Sequence, residues 1–170
     1  GQWRTRQIEK FVTAKHIQAW RKFIESSHST LVVMESDATL TPESGSRLNN
    51  ALEALTSDQP TYVNLAGGLS RSDIAIGSLA IGDLSGMTVF GRPVTNTSCA
   101  YALNRSLVVY MLAFLDELPE AATLGIDWLF NAFFIDQTVK GKEVRCLHSQ
   151  PPALLHGSLT GVTQSWHPDR

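Results

Sequence analysis

Between residues 10 and 65 the apolar positions change their period three times, and few chain paths satisfy that order. Val12, His16, Ile17, Trp20, Phe23 and Ile24 recur at helical spacing, with Lys15, Arg21, Lys22 and Glu25 mostly on the other side. That spacing predicts an amphipathic helix over about residues 10–27. Leu31-Val32-Val33-Met34 is instead a short continuous run rich in β-branched side chains. It predicts a strand buried on both faces, as parallel strands are. Helical spacing returns after Pro42, with Thr41 as the expected N-cap and Leu48, Ala51, Leu52 and Leu55 as the apolar stripe. Pro60 ends that segment, and Tyr62-Val63-Asn64-Leu65 predicts a second strand before Gly67-Gly68. Helix and strand in alternation predict an α/β domain with a mainly parallel central sheet and flanking helices.

The second half is less regular. Residues 69–86 mix glycine, small and apolar residues without a clear period, which predicts a long loop with a short strand in it. Met87–Phe90 and residues 99–103 predict strands around a turn at Gly91-Arg92-Pro93. Helices are expected over residues 106–118 and 126–134, and a last strand over 143–147. From about His148 the chain carries Pro151-Pro152, Gly157 and Gly161, which predicts a loop-rich tail wrapped on the body. No internal repeat and no linker divides the 170 residues, so residues 1–170 read as a single domain.

Composition narrows the function classes. Hydrophobic residues make up 43% and charged residues 18%, a balance that supports a buried core and argues against disorder. The net charge is -2 with no basic block, so no nucleic-acid partner is expected. Cys99 and Cys146 form no CxxC pair, which leaves two buried thiols as the expectation and one disulfide as the alternative. GQWRTRQIEKF lacks the apolar core of a signal peptide, and no apolar run is long enough to span a membrane. The sequons at Asn96 and Asn104 would matter only in a secretory compartment. Gly1 rather than Met opens the chain, which fits trimming at that end.

Glu35-Ser36-Asp37 places two carboxylates one residue apart at the end of a predicted strand. In open α/β sheets ligands bind at such strand ends, and a divalent cation held there by hard oxygen ligands can neutralise a leaving diphosphate. The plainer reading is a pair of solvated acids that cap the following turn. No GxGxxG, GxxxxGK[ST] or GxSxG pattern occurs, so dinucleotide oxidoreductases, P-loop NTPases and α/β-hydrolases lack their signatures.

Several blocks in order resemble glycosyltransferase family 25, the lipopolysaccharide galactosyltransferases. Ala14-Lys15-His16-Ile17-Gln18-Ala19-Trp20, then Leu31 to Ala38, is similar to that family's helix with Ser-His and Trp leading to a strand that ends Glu-Asp-Asp. Tyr62 to Gly68 looks like its second strand and glycine turn, and Ser98 to Arg105 like its Tyr-containing strand before a helix. Ile126-Asp127-Trp128 resembles its late Asp block, and Pro151-Pro152-Ala153-Leu154-Leu155 with Ser158 its closing segment. The resemblance covers roughly His16 to Ser158. The family's middle acid is Ser36 here, and the family's first strand, before the helix, is not present whole.

The resemblance implies a GT-A-like, Rossmann-like fold that lacks that first strand. It implies a nucleotide-sugar donor, with UDP-galactose as first guess, and transfer with inversion to a lipopolysaccharide, capsule or other glycan acceptor. It implies Mn2+ or Mg2+ on Asp37 with Glu35, and a donor site that includes His16, Ser36, Gly67 and Gly68. His156 is the candidate third metal ligand, against an ordinary loop histidine. His16 reads equally as a hydrogen-bonded core histidine. Asp127 is the candidate base, because it precedes a strongly apolar helix where burial raises a carboxylate pKa, against a plain helix-start acid. Two rivals stand beside sugar transfer: a non-catalytic binding or scaffold module, and a metal-dependent hydrolase or phosphotransferase using the same acids. The expected place of work is the cytoplasm, with peripheral contact at the inner membrane where lipid-linked acceptors lie.

Overall fold

The computed structural model describes residues 2–67, 80–84, 86–90 and 93–161. Helix α1 (Gln2–Glu25) is followed by strand β1 (Thr30–Met34), the short strand β2 (Ala38–Leu40), helix α2 (Ser44–Ala54) and β3 (Thr61–Asn64). Then come β4 (Ala80–Leu84), β5 (Met87–Phe90) and β6 (Ala100–Asn104). Helix α3 (Arg105–Glu117), a 3-10 turn (Pro119–Thr123) and helix α4 (Ile126–Val139) follow. Strands β7 (Arg145–Ser149) and β8 (Leu154–His156) and a one-turn helix α5 (Gly157–Thr160) complete the described part. Gly68, residues 69–79 and the Gly91-Arg92 half of the expected turn lie outside the described residues.

Six strands form one sheet in the order β1-β6-β3-β7-β5-β4, and β2 pairs with β8 in a separate ribbon. Within the sheet only β3 and β7 are parallel neighbours; the pairs β1–β6, β6–β3, β7–β5 and β5–β4 are antiparallel. The domain is mixed α/β, and the expected mainly parallel order is corrected to a mostly antiparallel one. Following the pair directions shows why. Strands β1, β3 and β7 do run the same way, as crossover connections require. Strand β6 enters later, in the opposite sense, between β1 and β3, and β5 lies beside β7 likewise. Alternation in sequence constrains the direction of successive strands and leaves open which strand fills the gap between them.

Strand β1 is therefore an edge. Leu31 and Val33 pack against the core, while Val32 and Met34 are 37% and 56% exposed. This corrects the expectation of a strand buried on both faces. The central strands β3 and β6 are buried at every residue, and their side chains alternate between two cores. Tyr62, Tyr101 and Leu103 face helices α1, α3 and α4, where Trp20, Phe23, Met111, Phe130, Phe133 and Phe134 meet them. Val63, Ala100, Ala102 and Leu147 face α2 and the β2–β8 ribbon, through Ala51, Leu55 and Leu154. Large rings on one face and small aliphatics on the other let thick helices cover one side and a thinner layer the other.

Two residues hold the connections. Arg105 opens α3, and its guanidinium donates to the carbonyls of Ile24 (3.0 Å), Phe23 (3.3 Å), Ser26 and His28 while lying 4.9 Å from the Phe23 ring centre. A fixed cation thus closes the C-terminus of α1, where carbonyls lack partners and the helix dipole favours positive charge. Asn104 caps α3 from the end of β6: its Oδ1 accepts from Leu107 N–H (3.1 Å) and Thr61 N–H (3.0 Å), and its Nδ2 donates to Ser57 O (2.8 Å) and Gln59 O (2.7 Å). The side chain is used to capacity and buried, so the Asn104 sequon has a structural duty instead.

Other expectations change in detail. Thr41 is not the cap of α2, which starts at Ser44; the Ser44 hydroxyl accepts from Thr41 N–H at 2.8 Å and donates to the Ala153 carbonyl. The tail from His148 is more regular than expected, because β8 finds β2 as a partner. Cys99 and Cys146 are both free and buried. Asn104→Ala should cost on the order of 3 kcal/mol, because it strands buried backbone donors and acceptors. Thermal unfolding followed by circular dichroism should show a midpoint lowered by roughly 6–12 °C; an unchanged midpoint would remove Asn104 from its central place.

Candidate functional site

The acidic turn is held by two ladders. Glu35 N–H donates to the Cys99 carbonyl at 2.7 Å, which carries the β1–β6 pairing one residue further. Ala38 N–H closes the turn on Glu35 O at 3.1 Å, and Gly157 N–H donates to Asp37 O at 2.8 Å where β8 leaves β2. The two carboxylates then part company. Glu35 Oε1 lies 3.2 Å from His16 Nε2 on α1. The Asp37 carboxylate instead accepts from the Ser158 hydroxyl at 2.7 Å and lies 3.4 Å from His156 Nδ1.

His16 is oriented from the core. Trp20 Nε1–H donates to the Tyr101 hydroxyl at 3.0 Å, and the Tyr101 oxygen lies 2.7 Å from His16 Nδ1. The indole can only donate, so the hydroxyl hydrogen is available for Nδ1 and Nε2–H points at Glu35. His16 is thus the hydrogen-bonded core histidine of the plainer reading, and it also lines the hollow beside the acidic turn.

Asp37, Cys99 and His156 form a cluster in which one ligand atom from each lies within 4.8 Å of the others. Asp37 Oδ1 and His156 Nδ1 are enclosed; apart from the 3.4 Å approach of Nδ1 to Oδ2 and the Cys99 thiol beside the carboxylate, neither has a polar partner among the described residues. Burial pushes the Asp37 carboxyl up, but the Ser158 hydroxyl and the neighbouring His156 outweigh it and leave the group below the ordinary carboxylate value. Burial, then the Asp37 charge, pushes the Cys99 thiol well up. Two enclosed polar atoms in one cluster with Cys99 could hold a cation. An oxygen, nitrogen and sulfur set suits Zn2+ and admits Mn2+ through Asp37 and His156, whereas Mg2+ wants oxygen ligands and does not fit. Glu35, bound to His16, stands outside the cluster.

Asp127 sits in the first turn of α4 and accepts from the Ser98 hydroxyl. Burial raises its carboxyl above the ordinary value, the Ser98 bond opposes that, and the Glu35 charge adds to it. A cleft of about 390 Å³ brings these groups together, lined among others by Glu35, Asp37, Ser98, Cys99, Asp127 and His156. A neighbouring hollow of about 530 Å³ lies between α1 and the acidic turn, with Lys15, His16, Glu35, Ser36, Asp37 and Ser158 on its wall. Glu35 and Asp37 border both spaces. The structure thus unites six of the eight residues singled out from the sequence. Gly67 lines neither space; its φ of +77° and the approach of Pro152 Cγ to 2.9 Å of an added Cβ account for the glycine. Gly68 lies outside the described residues.

The sequence reading missed Cys99, Ser98 and the role of Ser158. Cys99 looked like an ordinary buried thiol, because its place beside Glu35 depends on the β1–β6 register, Met34 opposite Ala100. Comparison with the models of known protein families returns no match, and comparison with curated proteins returns none either.

A carboxylate whose folded pKa is raised costs stability once it ionises, and that cost vanishes as pH falls through the raised pKa toward the unfolded value. Asp127→Asn keeps an oxygen for Ser98 and carries no charge. Its melting midpoint should exceed that of the parent at pH 7, and the gap should shrink as the pH is lowered. A gap that widens in acid would contradict the desolvation of Asp127.

Proposed function

We propose that this domain transfers a sugar from a nucleotide-diphosphate donor to a hydroxyl of a glycan acceptor, with inversion at the anomeric carbon. One observation carries the reading. Glu35 and Asp37 after β1, Asp127 at the start of α4 and His156 at the end of β8 lie far apart in sequence and border one cleft. The relationship proposed is GT-A-like, resting on an acidic strand end beside a nucleotide-sized hollow and not on parallel strand order.

Each group has a role in that reading. Asp127 takes the acceptor hydroxyl proton as the oxygen bonds to the anomeric carbon, while the bond from that carbon to the diphosphate oxygen breaks and its electron pair leaves with the diphosphate. A raised carboxyl pKa suits proton uptake near neutral pH. The Ser98 hydroxyl keeps the base in one rotamer. The hollow with Lys15, His16 and Ser36 is the place proposed for the nucleotide. Asp37 and His156 would hold a Mn2+ ion, which supplies positive charge for the departing diphosphate. Glu35 positions His16. Holding both reactants in line is a large part of the rate.

No helix among the described residues is long and apolar enough to cross a membrane. Work in the cytoplasm on a lipid-linked acceptor at the inner membrane surface, with a UDP-sugar and galactose as first guess, belongs to the same proposal. A second reading, a non-catalytic module, is favoured by Ser36 in the middle acid's place and by Glu35 being turned away from the cluster.

Thermal unfolding against UDP, CMP and other nucleotides, with Mn2+ and with EDTA, separates the readings. A ligand at 100 times its Kd adds about 2.7 kcal/mol, or roughly 5–10 °C for a domain of this size. UDP with Mn2+ should give that shift, Asp37→Asn should abolish it, and Asp127→Asn should keep it while losing turnover. No shift with any nucleotide would favour the non-catalytic module, and rapid donor cleavage without acceptor would favour the hydrolase.

A further inference from the structure

Trp128 is the next residue after the proposed base, yet it is 73% exposed while Leu129 and Phe130 beside it are fully buried. Exposure of so large an apolar ring needs a reason when the rest of the helix start is packed. The exposed residue stands at a cleft: Trp128 lines the space that holds Asp127, together with Glu9 and Asn96. Its indole edge lies against Gly125, where an added Cβ would stand 3.6 Å from Trp128 Cδ1 and 3.8 Å from Glu9 Cδ. The indole edge and a carboxylate therefore flank one spot on the cleft rim, with most of the ring left open to a ligand.

That pairing matches one ligand chemistry. A pyranose presents C–H groups on one face, which an aromatic π face attracts, and hydroxyls around its edge, which carboxylates and amides bind. An alkyl chain would use the indole and leave Glu9 and Asp127 desolvated without partners, which is costly. A nucleotide base would stack as well, but its diphosphate would then lie against Glu9 and Asp127, with like charges together.

We propose that Trp128 is the stacking platform of the acceptor subsite, with Glu9 holding the edge hydroxyls of the same sugar ring. The inference rests on the transferase reading for the word acceptor, because a ring on Trp128 lies within one residue of the base that must reach its hydroxyl. Saccharide binding at this spot can be measured without it. Trp128 is 73% exposed, so its replacement should leave the melting midpoint near that of the parent.

The experiment titrates the whole chain, labelled with 15N, with lactose and with the methyl glycosides of glucose, galactose and N-acetylglucosamine. The indole N–H signal that Trp128→Phe deletes should move on titration with at least one of them. Trp128→Ala should weaken that saccharide by about tenfold, Trp128→Phe should restore most of it, and Glu9→Gln should weaken it separately. The nucleotide shift described above should survive in all three variants. An indole signal that no saccharide moves, or equal saccharide binding by Trp128→Ala and the parent, would overturn the subsite while leaving nucleotide binding as evidence for the transferase. Loss of nucleotide binding in Trp128→Ala would place the donor there instead. Loss of retention on phosphatidylglycerol vesicles with saccharide binding unchanged would make the ring a membrane contact and overturn the proposal.

Discussion

The buried hydroxyl of Tyr101 is the contact on which the site depends. It lies in the middle of the sheet on β6, fully enclosed, and serves Trp20 and His16 on the helix above. A polar group this deep is costly unless bonded. The indole N–H requires the hydroxyl oxygen, the hydroxyl hydrogen requires His16 Nδ1, and the opposite nitrogen is left facing Glu35. The chain of bonds therefore runs from the aromatic core to the first acid after β1. It fixes the rotation of α1 over the sheet, and it draws Glu35 toward that helix. Asp37 is left to face Cys99 and His156 without it.

Asp37 and Asp127 show how one functional group is driven both ways by its surroundings. Burial raises both. At Asp37 a hydroxyl and an imidazole reverse the effect, and the carboxyl ends below its ordinary value. At Asp127 the single Ser98 bond does not, and the nearby Glu35 charge pushes the same way as burial. A group kept easily ionised beside an enclosed imidazole suits a cation or a positive charge. A group that holds its proton more readily suits proton transfer. Asp127 carries its cost at the start of a helix packed by Leu129, Phe130, Phe133 and Phe134.

The chemically distinctive members of the site were legible in the chain. An acid pair at the end of an apolar run, an acid before an apolar helix and a histidine in a proline-rich tail each announce themselves by residue type and local position. What joins them did not. Ser98 meets Asp127 across 29 positions, Ser158 meets Asp37 across 121, and His16 meets Tyr101 across 85. Serine and cysteine are common enough that nothing local marks these particular ones. Gly67, placed in the donor site by the resemblance, has a packing reason that only the fold shows: it makes room for Pro152.

By itself the sequence determined the main helices and the strands at residues 30–34, 61–64, 87–90, 100–104 and 145–149, because these follow from periodicity and turn residues within a few positions; the short strands β2 and β8 were not legible. It also indicated that β1 and β3 run together, since a helix between strands returns the chain to the same end of a sheet. Only the tertiary structure decided that β6 lies antiparallel between β1 and β3, that β1 is an edge and that β8 pairs with β2. Those choices rest on how well bulky rings on one sheet face and small aliphatics on the other fill the space beneath their layers. That balance sums contacts over the whole chain, and no local pattern contains it.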